Sequence, residues 1–165
     1  MNKLLVFQTD FGLDDGAISA MEGVAYCVDQ SLNIRHLTHN IPQYNIFDAS
    51  YRLYQAINYW PEGTTFVSVV DPGVGSERKS VVARTENNYY IVTPDNGTLT
   101  HIDKFLGIKE VRQIEESTNR LKNSELSYTF HGRDVYAYTG ARLASDTITF
   151  KEVGPEMDLS ELIRL

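Results

Sequence analysis

Asp71, Arg78 and His131 are an acid, a guanidinium and an imidazole, with Asp71 at the end of an expected strand and His131 just before an expected helix. Asp71 directly follows Thr65–Val70, a β-branched apolar run that reads as a buried strand. Pro72, Gly73 and Gly75 then fold a tight turn, and Arg78 follows seven residues after the carboxylate. In open α/β sheets, ligands bind in the crevice outside the strand C-termini. An acid and an Arg placed there form a candidate site. The same spacing also fits a surface turn with an Asp cap and a solvated Arg.

Three further clusters carry polar groups at element ends. Thr9-Asp10-Phe11-Gly12-Leu13-Asp14-Asp15 holds three carboxylates within six residues and opens a helix. A helix N-terminus offsets roughly 0.3–1 kcal/mol per charge. The cluster fits helix capping by Asp14, a hard cation such as Ca²⁺, or a carboxylate accepting from two vicinal sugar hydroxyls. His131 lies just before a helix, as a structural hydrogen-bonder or as a ring that meets a ligand. Pro94-Asp95-Asn96-Gly97 fits a β-turn. His36, His39 and His101 lack metal-ligand spacing, and there is no zinc pattern, phosphate-binding loop or serine elbow. No metal is expected.

The elements that position these groups follow from periodicity. Leu4–Phe7 reads as a strand. Ala17, Ile18, Met21, Val24, Ala25 and Val28 recur at helical spacing, with Cys27 expected in the core beside them. Asn33–Leu37 reads as a strand, and Ile46, Leu53, Ile57 and Trp60 share a helix face that stops at Pro61. Strand, helix, strand, helix, strand is the signature of a parallel sheet with helical crossovers. Next come a hairpin of Val81–Arg84 with Tyr89–Val92, a short helix over 98–106, and a polar loop or lid from Glu115 to Ser127. A helix over 134–144 turns Val135, Tyr138 and Ala141 inward. Ile163 and Leu165 require an apolar partner. The expected fold is a single α/β domain with a central, mostly parallel sheet flanked by helices. A parallel sheet would gather Asp10, Asp71, Asn96 and His131 on one edge.

The bulk numbers fit that fold. The 165 residues suffice for one core, and a net charge of -7 disfavours nucleic acid as a partner. No apolar stretch approaches membrane-spanning length, and Leu4–Phe7 is too short for a leader. The single cysteine excludes a disulfide framework, so a cytoplasmic setting is expected.

Five motifs occur in order: Thr9–Asp15, Thr38-His39-Asn40-Ile41-Pro42, Phe66–Gly75, Pro94–Gly97 and Phe130-His131-Gly132-Arg133-Asp134. They resemble the S-adenosyl-L-methionine (SAM) hydroxide adenosyltransferases, the adenosine-forming SAM hydrolases related to fluorinase and chlorinase. The resemblance implies that water attacks ribose C5′ of SAM and releases adenosine and L-methionine, with SAM as substrate and no cofactor. It places a catalytic Asp, Arg and His on Asp71, Arg78 and His131. The halogenating relatives carry tyrosine at position 71, where this chain has aspartate. It also implies that Asp10 holds the ribose hydroxyls, that Asp14 lies near the methionine amino group and that Tyr44 lines the pocket. Asn96, Phe130 and Gly132 complete the expected substrate-binding set. On this reading Arg78 stabilises an anionic oxygen and His131 accepts the proton. The family also has a mostly β second domain and a homotrimer with sites between subunits. Residues 1–152 are then the catalytic domain, and 153–165 are a linker or the start of the second. Ca²⁺-dependent nucleoside hydrolases share an acid-rich turn after a strand, but Gln8 stands where their first carboxylate falls. A non-catalytic SAM- or adenosine-binding module is the third reading.

Overall fold

Successive strand residues point to opposite faces of a sheet, and here both faces are apolar. Leu5 and Phe7 of β1 (Leu4–Thr9) join one buried cluster, and Val6 between them joins another. Both faces must therefore be covered, and helices cover them. The computed structural model describes residues 1–124 and 130–165.

One face packs against α1 (Ala17–Val28), through Ile18, Met21 and Ala25, and against α4 (Tyr138–Ala144), through Ala141, Leu143 and Ala144. The other packs against α2 (Ile46–Ile57), through Leu53 and Ile57, and against Ile102 of α3 (Thr100–Phe105). Asn45 starts α2 by accepting a bond from Asp48 N–H at 2.9 Å. The remaining strands are β2 (Asn33–Thr38), β3 (Thr65–Val69), β4 (Ser80–Thr85), β5 (Tyr90–Pro94), β6 (Ile108–Gln113) and β7 (Glu156–Met157).

The sheet order is β2-β1-β3-β5-β4-β6-β7. The β2-β1-β3-β5 part is parallel, as expected, and β5-β4-β6-β7 is antiparallel, which makes the whole sheet mixed. The β4–β5 hairpin forms as expected, with Ser80 opposite Pro94. That register brings the start of β4 to the edge where β1, β3 and β5 end.

Two expectations change. Cys27 is exposed, because only every third or fourth residue of α1 meets the sheet and Cys27 falls between them. The last long helix begins at Gly132 with a π-helical turn, Gly132–Ala137, before α4. The wider turn shifts the register, so Tyr136 is fully buried and Tyr138 is only half-buried. β6 was hidden in a segment where only Ile108 and Val111 are buried. Of the loop expected over 115–127, residues 115–124 form turns and 125–127 lie outside the described residues. Residues 153–165 run along the domain: β7 pairs with β6 and Leu162 is buried, while Ile163 and Leu165 stay about half exposed.

Candidate active site

Asp71 lies two residues past the end of β3 and is buried, 7% exposed. Its loop turns back at once: Val74 N–H donates to Asp71 C=O at 3.2 Å, and Gly75 takes φ +78°, which a side chain would strain. The turn delivers Arg78 to the carboxylate it left. Arg78 Nε donates to Asp71 Oδ1 at 2.9 Å and Arg78 Nη2 donates to Oδ2, a bidentate pair. The second Nη2 hydrogen goes to His131 Nδ1 at 2.9 Å, and Nη1 donates to Ser80 Oγ at 3.1 Å. The Ser80 hydroxyl meets the buried Tyr136 hydroxyl at 2.9 Å, and the Tyr136 ring lies beneath the guanidinium.

Arginine can only donate, so His131 Nδ1 must accept. The neutral imidazole therefore carries its hydrogen on Nε2. Burial, and then the Arg78 charge, push the His131 pKa below the usual histidine value. Burial opposes the charge on Arg78, but its bonds to Asp71, together with the charge of Asp71 and the other groups around it, raise its pKa.

Asp71 and His131 face a cleft of about 690 Å³. Asp10, Asp15, Tyr44, Phe11, Phe130 and Gly132 also line it. Asp10 Oδ2 accepts from Tyr44 N–H at 2.8 Å. Burial raises the Asp10 pKa, the Tyr44 bond opposes this, and nearby Asp71 adds to it. Phe11 and Phe130 meet edge to face with centroids 6.0 Å apart. A Cβ on Gly132 would come within 3.2 Å of the Phe11 ring, so glycine lets that ring lie against the backbone.

Two expected residues sit elsewhere. Asp14 is exposed and outside the cleft lining, and its neighbour Asp15 lines the cleft while capping Ala17 N–H at 2.9 Å. Asn96 supports the site from behind. Its Nδ2 donates to Val70 C=O at 2.7 Å, and its Oδ1 accepts from Thr98. Gln8 is buried and donates to Ala49 C=O and Ser68 Oγ, which makes it part of the core. Among the described residues, no group of three His, Cys, Asp or Glu is placed to hold a metal ion. Ser80 and Tyr136 are new to the site.

Residues 5–154 match the SAM hydroxide adenosyltransferase N-terminal domain. The chain belongs to the SAM hydroxide adenosyltransferase family. Within this family it is 42% identical over 144 residues to the (R)-S-adenosyl-L-methionine hydrolase of Methanocaldococcus jannaschii, covering 85% of this chain and 52% of that one. It is 36% identical to the enzyme of that name from Salinispora tropica, covering 96% of this chain and 59% of the relative. A fluorinase of Actinopolyspora mzabensis is more distant, at 22%. A crystal structure of an uncharacterized conserved protein from Thermotoga maritima superposes with a TM-score of 0.91 at 36% identity, over 98% of this chain and 61% of that one. The chain thus spans between half and two thirds of the length of these relatives.

Proposed function

We propose that this chain carries the catalytic groups of an enzyme that hydrolyses SAM to adenosine and L-methionine. The observation that carries this reading is the Asp71–Arg78–His131 cluster at the wall of a negatively charged cleft. Three lining carboxylates against one guanidinium leave two formal negative charges. A sulfonium between aromatic walls suits that field. Asp10, held by Tyr44 N–H, has acceptor capacity left for the ribose diol.

Water adds its oxygen to C5′, the C5′–S bond breaks, and sulfur keeps the electron pair as a neutral thioether. One proton must leave the attacking water. Asp71 and His131 face the cleft, and Arg78 stands behind them. His131 Nδ1 is occupied by Arg78, so taking a proton there would break that contact. Each Asp71 oxygen has a second lone pair, and this makes Asp71 the acceptor that holds and deprotonates the water. Arg78 fixes both partners. Charge disappears as hydroxide character meets a sulfonium, so the apolar walls of Phe11 and Phe130 favour the step.

The test is incubation with SAM in oxygen-18 water. The expected products are adenosine labelled in its 5′-hydroxyl and unlabelled methionine. Release of free adenine would favour a nucleoside hydrolase, and SAM binding without products would favour a binding module. A homotrimer with sites between subunits and a cytoplasmic setting belong to the same reading. Tyr44 and Val74 at the cleft rim are 58% and 39% exposed, which supports closure by further protein. Light scattering in solution tests the trimer.

A further inference from the structure

The Thr38–Pro42 motif contributes no group to the cleft beyond its neighbours Gln43 and Tyr44, yet it is stitched to the Asp10 loop. Gly12 N–H donates to His39 C=O at 2.9 Å. The Thr9 hydroxyl meets His39 Nδ1 at 2.7 Å and also accepts Phe11 N–H at 3.1 Å. His39 Nε2 meets His36 Nδ1 at 2.7 Å, and His36 Nε2 lies 3.6 Å from Glu22 Oε2 on α1. The chain thus runs from the surface to the residue before Asp10. His39 is 6% exposed, while the His36 and Glu22 side chains are 35% and 36% exposed.

A strand irregularity builds it. Phe7 pairs with His36, but Gln8 pairs with Thr38, so Leu37 is an extra residue in β2. The extra residue lets His36 and His39, three apart, meet on one side with rings 4.9 Å apart.

We infer that His39, set by His36 and Glu22, is a positioning residue for the substrate loop Thr9–Gly12, and that the protonation of His36 decides how that loop is held. With both rings neutral, the hydrogens can run one way: Thr9 O–H to His39 Nδ1, His39 Nε2–H to His36 Nδ1, and His36 Nε2–H toward Glu22. One added proton makes His36 a donor at both nitrogens. His39 Nε2 must then accept, and its hydrogen sits on Nδ1. Thr9 Oγ1 now accepts from both His39 and Phe11 N–H and turns its own hydrogen away. The loop before Asp10 is held by a different bond pattern with no residue displaced. His39 itself stays neutral, because burial and then the facing His36 push its pKa down to about 4. Among the described residues, the titratable groups recorded against the two rings are Glu22 and each other. From β1 the contacts are the Thr9 hydroxyl and the Phe7 ring edge, 5.9 Å from His36.

This rests on the reading of Asp10 as a ribose-binding carboxylate. The test measures adenosine affinity by calorimetry against pH, together with the imidazole nitrogen shifts of His36 and His39. In the unchanged chain, affinity should fall about tenfold between about pH 7.5 and 5.5. The His39 hydrogen should move from Nε2 to Nδ1 over the same range. His36→Gln should remove the pH dependence, and His39→Gln should weaken adenosine about tenfold at every pH, as expected for a lost buried hydrogen bond. If His39→Gln does not fold, His36→Gln and the nitrogen shifts decide. A flat profile in the unchanged chain, a profile that survives His36→Gln, or a His39 hydrogen that does not move would overturn the inference. Failure of every form to bind adenosine at pH 7.5 would count against the SAM reading instead, and the nitrogen shifts would still decide the relay.

Discussion

Arg78 grips Asp71 with two N–H groups along one edge of its guanidinium, and both groups are nearly dry, with side chains 11% and 5% exposed. The turn from Asp71 to Arg78 exists to close this pair, and the same guanidinium then fixes His131. A lysine would keep the charge and lose the fork. Arg78→Lys should therefore fold and bind SAM, yet turn over about 100-fold more slowly, in the range of a lost preorganised donor. Single-turnover product formation beside calorimetry separates the two effects. Loss of SAM binding with a normal rate for the bound fraction would refute the assignment.

Tyr136 acts one shell further back. Its hydroxyl bonds Ser80, which bonds Arg78, and burial pushes the phenol above its ordinary pKa, so it stays neutral. Tyr136→Phe should cost about 1 kcal/mol of stability. It should lower kcat by up to about tenfold without changing KM, because Arg78 is loosened while the cleft wall is untouched. Steady-state kinetics with a denaturant titration checks both.

What the sequence revealed and what it hid divide along a physical line. Asp71 was legible because a β-branched run ending in Asp-Pro-Gly fixes both strand and turn locally. Helix faces were legible for the same local reason, although Cys27 shows that an apolar residue type alone does not choose the face. Ser80 and Tyr136 were not legible. Their meeting depends on the antiparallel placement of β4 and on a π turn that rotates Tyr136 inward, and neither leaves a periodic trace. Asn96 is the converse: its motif is plain in the sequence, but its amide is spent on Val70 and Thr98, contacts that a turn motif does not encode. The Thr9–His39 bond joins residues 30 apart through a one-residue irregularity between neighbouring strands.

Close packing beneath the site gives a prediction independent of chemistry. Gly140 of α4 lies on the sheet, where a Cβ would come 2.5 Å from Val67 Cγ2 and 3.2 Å from Leu5 Cδ1. Alanine gains about 1 kcal/mol of helix propensity. The overlap is with strand side chains that have nowhere to move, and overpacking of this kind costs about 1–3 kcal/mol. Gly140→Ala should lower the denaturant midpoint without changing the slope.

The pH dependence of turnover follows from His131. Its pKa lies below the ordinary value of about 6.5, from burial first and from Arg78 second. Only the neutral ring can accept from Arg78, so kcat should hold as pH falls through 6.5 and decline at a lower pH. The unfolded chain takes up this proton more readily than the folded one. Stability should therefore rise with pH across the window from the lowered value to about 6.5, and stay level above it. Arg78→Gln removes the smaller cause and leaves burial. In that variant the His131 ring, followed by NMR, should take up its proton at a higher pH than in the unchanged chain. Asp10 titrates above its ordinary value, and on the proposed reading it binds rather than reacts, so its protonation should appear in KM. A kcat that instead fell as pH rose through about 6.5 in the unchanged chain would mean that His131 works as a cation, and the proposed division of labour with Asp71 would be wrong.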